Sequence, residues 1–471
     1  MRKPWLFLSF AIVVATGCGQ TPTSPNPSQG FIPRTLRSLG GFGFATTPDG
    51  ASSLSLLGNG KIKHVVIIIQ ENRSFDNLFH QFPGADSADY GETSNDSWVK
   101  LFPEKLTEPM DISHTHGSFA VEFNAGKMNG FNLAQSRCGK DRDGSCRNSD
   151  LHPYGFVPQS EIRPYWAMAS QYVLADRMFQ TNEGPSFPAH QYLVSGTSTI
   201  SNRSNLRAAE NAALRGRGGG QGGCDSSTGA TVRLIDLEGN ENQKIFPCFT
   251  RISLMGRIDA AGLTWHYYEA HRGHGIWNAP DAIRSIRYGP FYKADVISPQ
   301  TKVLHDIAHG ELANVVWVTP SKFSSDHAGV NNGSGPAWVA SVVNAIGESR
   351  YWNDTAIFLT WDDWGGWYDH VKPPQYNSYE LSFRVPLIVI SAYARQNYVS
   401  HREHEFGSIL KFTEKVFGLR SLGTTDVRSD DLDDCFNFFA KPRRFKRIPA
   451  ALPPSYFENQ PVSNDDPDDD F

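Results

Sequence analysis

After its opening segment the 471-residue sequence has no long hydrophobic run. Nothing further on approaches the roughly 20 apolar residues that a membrane-spanning helix needs. An excess of charge is missing too. The formal net charge is −5, and five aspartates (Asp465, Asp466, Asp468, Asp469 and Asp470) crowd the last seven residues, so the remainder is about neutral. A nucleic-acid partner, which requires a basic face or stripe, is therefore not expected. The short basic run from Lys441 to Arg447 reads as a solvated loop. Cysteine is scarce, with six in all, and no CxxC-type spacing suggests a structural zinc site. The glycine-dense run from Arg215 to Gly223 is not followed by the Gly-Lys-Ser/Thr of a phosphate-binding loop, and no clear strand precedes it. It reads as a flexible surface loop.

What is present begins with an export signal. Arg2 and Lys3 precede an apolar stretch from Trp5 to Val14, and Ala15-Thr16-Gly17-Cys18 resembles a lipobox. Residues 1–18 are expected to be a signal peptide with Cys18 lipidated after cleavage, giving a cell-envelope lipoprotein held to a membrane surface by its anchor. Otherwise the protein is secreted. Residues 19–60, rich in Thr, Ser, Pro and Gly, read as a flexible tether. Residues 461–471 read as an acidic, solvated tail. Between them, residues 61–460 read as one large domain, and a composition that is 39% hydrophobic and 12% aromatic suffices for its core. Export permits disulfides. Cys138 with Cys146, and Cys224 with Cys248, bracket short segments and are the expected pairs, leaving Cys435 free.

Four runs rich in Val, Ile and aromatics read as fully buried strands: His64 to Gln70, Asn314 to Thr319, Thr355 to Trp361 and Val385 to Ser391. Their continuous apolar character favours a parallel sheet covered on both faces. Helical patterns fall at Glu161 to Tyr172, Ala337 to Gly347 and Ser408 to Phe417. Such interleaving predicts an α/β, doubly wound fold. The stretch from about Ser201 to Phe249 breaks the rhythm and reads as an insertion or lid.

In such sheets ligands bind beyond the carboxyl ends of the strands. The first run delivers Glu71-Asn72 there, and the run ending at Trp361 delivers Asp362-Asp363. Adjacent carboxylates after buried strands repel each other unless a cation neutralises them, so a shared, oxygen-rich metal site accounts for them better than turn aspartates do. Oxygen ligands suit Ca, Mg or Mn, and Zn also occurs in carboxylate sites. Ser186, in Gly184-Pro185-Ser186-Phe187-Pro188, falls near a helix N-terminus, where backbone N–H groups favour an anion. An isolated serine there is ordinarily a cap; beside a metal-binding set it becomes a candidate nucleophile. His114, His116 and His327 stand in loops; singly each is more often a surface or hydrogen-bonded structural histidine, and beside such a site an imidazole could protonate a leaving oxygen or hydrogen-bond a bound anion.

The runs HVVIIIQENRSFDNLF, GPSFPAHQYLVSGTS, TWDDWGGWYDHV and RVPLIVISAYAR, in this order from about Lys61 to Leu419, resemble the bacterial phosphoesterase family that contains phospholipases C and acid phosphatase A. The resemblance implies an alkaline-phosphatase-like, three-layer α/β/α sandwich with a mostly parallel central sheet. It implies that Glu71, Asn72, Asp362 and Asp363 bind a divalent metal together with the nucleophile Ser186. His114 and His327 would line the phosphate pocket, with His116 a weaker candidate. The reaction expected is attack of Ser186 on phosphorus, protonation of the departing alcohol by His327 or His114, and hydrolysis of a phosphoseryl intermediate, with Asn72 holding phosphoryl oxygen. The substrate is a phospholipid or a small phosphate ester. Family phospholipases often carry threonine at the nucleophile, and where an Asp-His-Thr-Ser run is expected this chain has Glu405-Phe406-Gly407-Ser408, with His401 and His404 upstream. Two alternatives stand beside a phospholipase C: an acid phosphatase acting on monoesters, and a non-catalytic envelope lipoprotein. Trp361, Trp364, Trp367 and Tyr368 flank the Asp pair, where aromatic faces can hold a choline-like cation, although core packing is their commoner use.

Overall fold

The computed structural model describes residues 60–138, 149–214, 221–273 and 275–462. Its core is one eight-stranded sheet. In chain order the strands are β1 (His64–Gln70), β2 (Val173–Ala175), β3 (Trp265–Tyr268), β4 (Val296–Ile297), β5 (Val315–Val318), β6 (Thr355–Trp361), β7 (Leu387–Ser391) and β8 (Tyr398–Ser400). Across the sheet they run β4-β3-β5-β1-β6-β7-β2-β8. All are parallel except β7, which is antiparallel to both neighbours. The apolar run at Val385 to Ser391 favoured a parallel strand. Continuous apolarity reports burial on both faces, however, and is silent on direction, so the antiparallel setting of β7 is a correction to that expectation.

Helices cover both faces. Side chains alternate across a strand, and β6 shows the consequence. Phe358 meets Phe412 of one helix at 5.0 Å between ring centroids, whereas Trp361, three residues on, meets Tyr165 of another at 5.0 Å. The Trp361 side holds α1 (Arg163–Gln171), which packs on α5 (Gly335–Gly347), and α5 in turn packs on α4 (Lys302–His309). The Phe358 side holds α6 (Phe406–Phe417), α2 (Ser186–Ser195) and α3 (Leu254–Ala260), each packed on the next. This is a three-layer α/β/α sandwich. β1 and β6 are built from residues that favour the pleat, and every residue of β6 is buried.

The segment expected to be an insertion forms a separate three-stranded antiparallel sheet, Arg207–Ala208, Val232–Ile235 and Gln243–Ile245. Its inner residues Ala208, Val232 and Leu234 share a small apolar cluster with Phe187 of α2. A disulfide joins Cys224 and Cys248, Cys435 is free and buried, and Cys138 is disulfide-bonded. Cys146, the signal and tether, most of the glycine-dense run and the acidic end from residue 463 lie outside the described residues. Among the described residues no helix is long and apolar enough to cross a membrane.

Candidate active site

Strand register brings the two acidic pairs together. β1 and β6 are parallel neighbours with Gln70 opposite Trp361, so both chains leave the sheet at the same level. The Asp362 N–H donates to the Gln70 carbonyl at 3.0 Å. Asn72 turns sharply with φ 58°, and its N–H donates to Asp362 Oδ1 at 3.1 Å. The loop after the aspartates lies against this turn. A Cβ on Gly365, whose φ is 64°, would stand 2.2 Å from the Asn72 carbonyl oxygen, so only glycine fits.

Each aspartate is held by one oxygen. Asp362 Oδ1 also accepts from the Asp363 N–H at 2.8 Å, and Asp363 Oδ1 accepts from the Gly365 N–H at 2.8 Å. Their other oxygens face inward. Asp363 Oδ2 lies 3.2 Å from Ser186 Oγ, and Asp362 Oδ2 is buried without a hydrogen-bond partner. Ser186 is the first residue of α2 and makes no capping bond; Pro185 is the cap position. Its hydroxyl instead sits 3.4 Å from Glu71 Oε2 and 3.5 Å from Asn72 Oδ1. Glu71, Ser186, Asp362 and Asp363 are all fully buried.

Three acidic groups here have no basic side chain among the bonds just described. Burial first, then repulsion from Asp362 and Asp363, pushes the Glu71 carboxyl well above its ordinary range. Asn72 stands among the same groups. Its amide oxygen faces Glu71 Oε2 and Asp362 Oδ1, each at 3.2 Å, while its NH2 faces His114 Nε2 at 2.9 Å and His327 Nε2 at 3.2 Å. Turned over, the amide would donate to both carboxylates and accept from both imidazoles. His114 Nδ1 donates to the Ile112 carbonyl at 2.8 Å and His327 Nδ1 to the Ala328 carbonyl at 2.6 Å. A ring so fixed keeps its proton on Nδ1 and turns Nε2 toward Asn72. The orphaned Asp362 oxygen and the converging carboxylate donors fit a divalent ion.

One residue of the cluster was not singled out from sequence. His190 stands four residues after Ser186 on α2, hence on the same face. Its Nε2 is 3.1 Å from Glu71 Oε1 and 3.6 Å from Asp362 Oδ2. Burial, partly opposed by Asp362, pulls its imidazole down to about 4, so the ring is neutral. The i, i+4 spacing in Ser186-Phe187-Pro188-Ala189-His190 was the available signal.

Other sequence candidates lie apart. His116 Nδ1 bonds Glu241 Oε1 of the inserted segment at 2.5 Å, and its Nε2 is 3.7 Å from Glu183. Asp369 is locked to Arg384 by bonds of 2.8 and 3.0 Å. Glu405 caps α6 and pairs with Arg428, while His404 pairs with Asp430 and His401 with Asp176. The flanking aromatics are core. Trp361, Trp364 and Trp367 are fully buried; Trp361 Nε1 donates to Asp326 and Trp364 Nε1 to Glu122, and Trp367 packs under the Arg73 guanidinium. They line no cation cage.

The cluster stands beyond the carboxyl ends of β1 and β6, where α/β enzymes place their chemistry. The chain belongs to the Phosphoesterase family, whose pattern matches residues 62–420. It is 22% identical to the hemolytic phospholipase C of Pseudomonas aeruginosa over 87% of this chain and 59% of that protein. It is 23% identical to phospholipase C A of Mycobacterium tuberculosis over 81% of this chain and 78% of that protein. Against non-specific phospholipase C6 of Arabidopsis thaliana it is 23% identical, with 83% and 75% covered. The chain thus spans less than two thirds of the Pseudomonas relative's length. A solved protein of the alkaline phosphatase superfamily from Vibrio parahaemolyticus aligns over 82% of this chain and 79% of its own, with 10% identity and a TM-score of 0.36.

Proposed function

We propose that the protein is an exported phosphoesterase of phospholipase C type that uses Ser186 as nucleophile. The observation that carries this is the buried Ser186 hydroxyl, within 3.2 to 3.5 Å of Asp363, Glu71 and Asn72 at the first residue of a helix. Glu71, Asn72, Asp362 and Asp363, with Ser186, would hold a divalent ion, which when bound supplies charge neutralisation and favours the ionised hydroxyl. Asp363 Oδ2 is the nearest acceptor for the Ser186 proton. Oγ then forms a bond to phosphorus as the bond to the departing alcohol oxygen breaks. His327 or His114, protonated at Nε2, gives that oxygen its proton. In the second step water bonds to phosphorus as the P–Oγ bond breaks; the water's proton goes to the now neutral histidine and Oγ recovers its proton from Asp363, with the Asn72 amide and the α2 N-terminus facing phosphoryl oxygens.

The relatives' names favour a phospholipid diester over a monoester. Export and anchoring rest on the sequence reading of residues 1–18, with Cys18 as the lipidated residue. The test measures diacylglycerol released from phosphatidylcholine and nitrophenol released from p-nitrophenyl phosphate, with and without chelator. Diacylglycerol release that the chelator abolishes is expected. Monoester cleavage without diacylglycerol would make the protein an acid phosphatase, and turnover untouched by chelator would remove the ion from the scheme.

A further inference from the structure

We infer that His190 is a nitrogen ligand of the ion held by this cluster, so that the site is built for a zinc-like ion rather than for calcium or magnesium. This rests on the reading above that the cluster holds a divalent cation. The argument begins with the far side of the ring. His190 Nδ1 lies 3.3 Å from the Tyr267 hydroxyl, at the sheet end of β3. That hydroxyl donates its one proton to the Trp277 carbonyl oxygen, so toward His190 it can only accept. Nδ1 must therefore carry a proton, and a neutral ring then presents the bare lone pair of Nε2 to the cluster.

That lone pair meets only oxygens. Glu71 Oε1 stands 3.1 Å from Nε2 and Asp362 Oδ2 stands 3.6 Å from it, and Asp362 Oδ2 has no hydrogen-bond partner. One ligand atom from each of these three residues lies within 4.8 Å of the others. Trp277 lies near-parallel to the imidazole at 6.4 Å between centroids, and His190 is fully buried. Without a cation, these three groups are reconciled only by a proton shared between Glu71 Oε1 and Nε2, 3.1 Å apart, and that is the proton a bound ion replaces. A histidine whose second nitrogen is pinned by a hydrogen bond is the usual form of a metal-binding imidazole. Imidazole suits zinc and its neighbours, whereas calcium and magnesium are served by oxygen alone.

The test loads the metal-free full-length protein with zinc alone and reads X-ray absorption at the zinc edge, with zinc and calcium affinities from competition titrations. Wild type is expected to show outer-shell scattering from an imidazole. His190→Gln should lose that scattering and weaken zinc binding by about 10- to 100-fold, while calcium binding changes by no more than about 3-fold. Tyr267→Phe, which keeps the ring but removes its anchor, should retain the scattering and bind zinc about 10-fold more weakly; this variant covers the case in which His190→Gln fails to fold. Zinc held with no imidazole scattering, or scattering unchanged in His190→Gln, overturns this inference and leaves the proposed function standing. Failure of wild type to bind any divalent ion overturns both.

Discussion

Replacing Asp362 by asparagine is expected to stabilise the metal-free protein and, once a divalent ion is added, to leave it less stable than wild type. The substitution keeps the shape of the side chain. Its amide oxygen can still accept from the N–H groups of Asn72 and Asp363, as Oδ1 does at 3.1 and 2.8 Å. What changes is Oδ2, which has no hydrogen-bond partner and lies within 4.8 Å of ligand atoms on Glu71 and His190. Two unit charges at that 4.8 Å limit repel by about 3.5 kcal/mol at an effective dielectric constant of about 20. Glu71 already relieves part of this, because burial and Asp362 favour its protonated form. The NH2 that replaces Oδ2 is also a donor among acceptors. A net gain of about 1–3 kcal/mol in the metal-free state follows. With ion at about 1,000 times its dissociation constant, wild type gains about 4.1 kcal/mol, more than the variant's advantage in the metal-free state, while the variant, short of one ligand, gains little. Thermal unfolding in chelator and in excess zinc, on matched samples, reads both. A variant destabilised equally in the two conditions, with undiminished bound metal by elemental analysis, would refute the reasoning and make Asp362 a structural carboxylate.

Ser186→Ala should lower turnover by at least about 1000-fold with an unchanged circular dichroism spectrum; activity within a few-fold of wild type would rule out the nucleophile. His116 predicts a pH dependence. Burial opposes its charge, but hydrogen bonds and attraction from Glu183 and Glu241 outweigh it and raise its pKa from 6.5 to about 9. Folding therefore gains fully from this group below pH 6.5 and loses that gain as pH rises through about 9, so His116→Gln should flatten the stability profile across that window. A profile in urea that keeps its wild-type slope would mean that the pair contributes nothing. Cys18→Ser should release the protein from membranes and abolish fatty-acid labelling; unchanged fractionation and label would show a signal of another kind.

The strands legible in the sequence share one position in the fold. β5, β1, β6 and β7 are four consecutive strands in the middle of the sheet. Covered on both faces, they are apolar at most positions, and that makes a run visible without any periodicity. The strands that sequence did not reveal lie at or toward the edges. β2 and β8 have three residues each and β4 has two, too few to register as a run. β3, Trp265–Tyr268, carries a half-exposed histidine and reads as an ordinary aromatic stretch. Strand direction left no trace either, since β7 is as buried as the parallel strands β5 and β6.

The site divides along a similar line. Residues that directly follow a legible strand came with it: Glu71 and Asn72 after β1, Asp362 and Asp363 after β6, all placed side by side by a register the sequence does not state. His190 belongs to no strand end, and its meaning depends on Tyr267 and Trp277, which reach it from β3 and the loop beyond. Distance along the chain hides such a relation. The tryptophans err in the opposite sense. Trp364 and Trp367 are neighbours of Asp363 in sequence, yet the positive-φ turn at Gly365 and Gly366 carries them into the core. Only groups delivered straight off a buried strand have their surroundings fixed by local sequence. For the rest, the partner across space decides whether an aromatic packs or binds, and whether a histidine is a ligand.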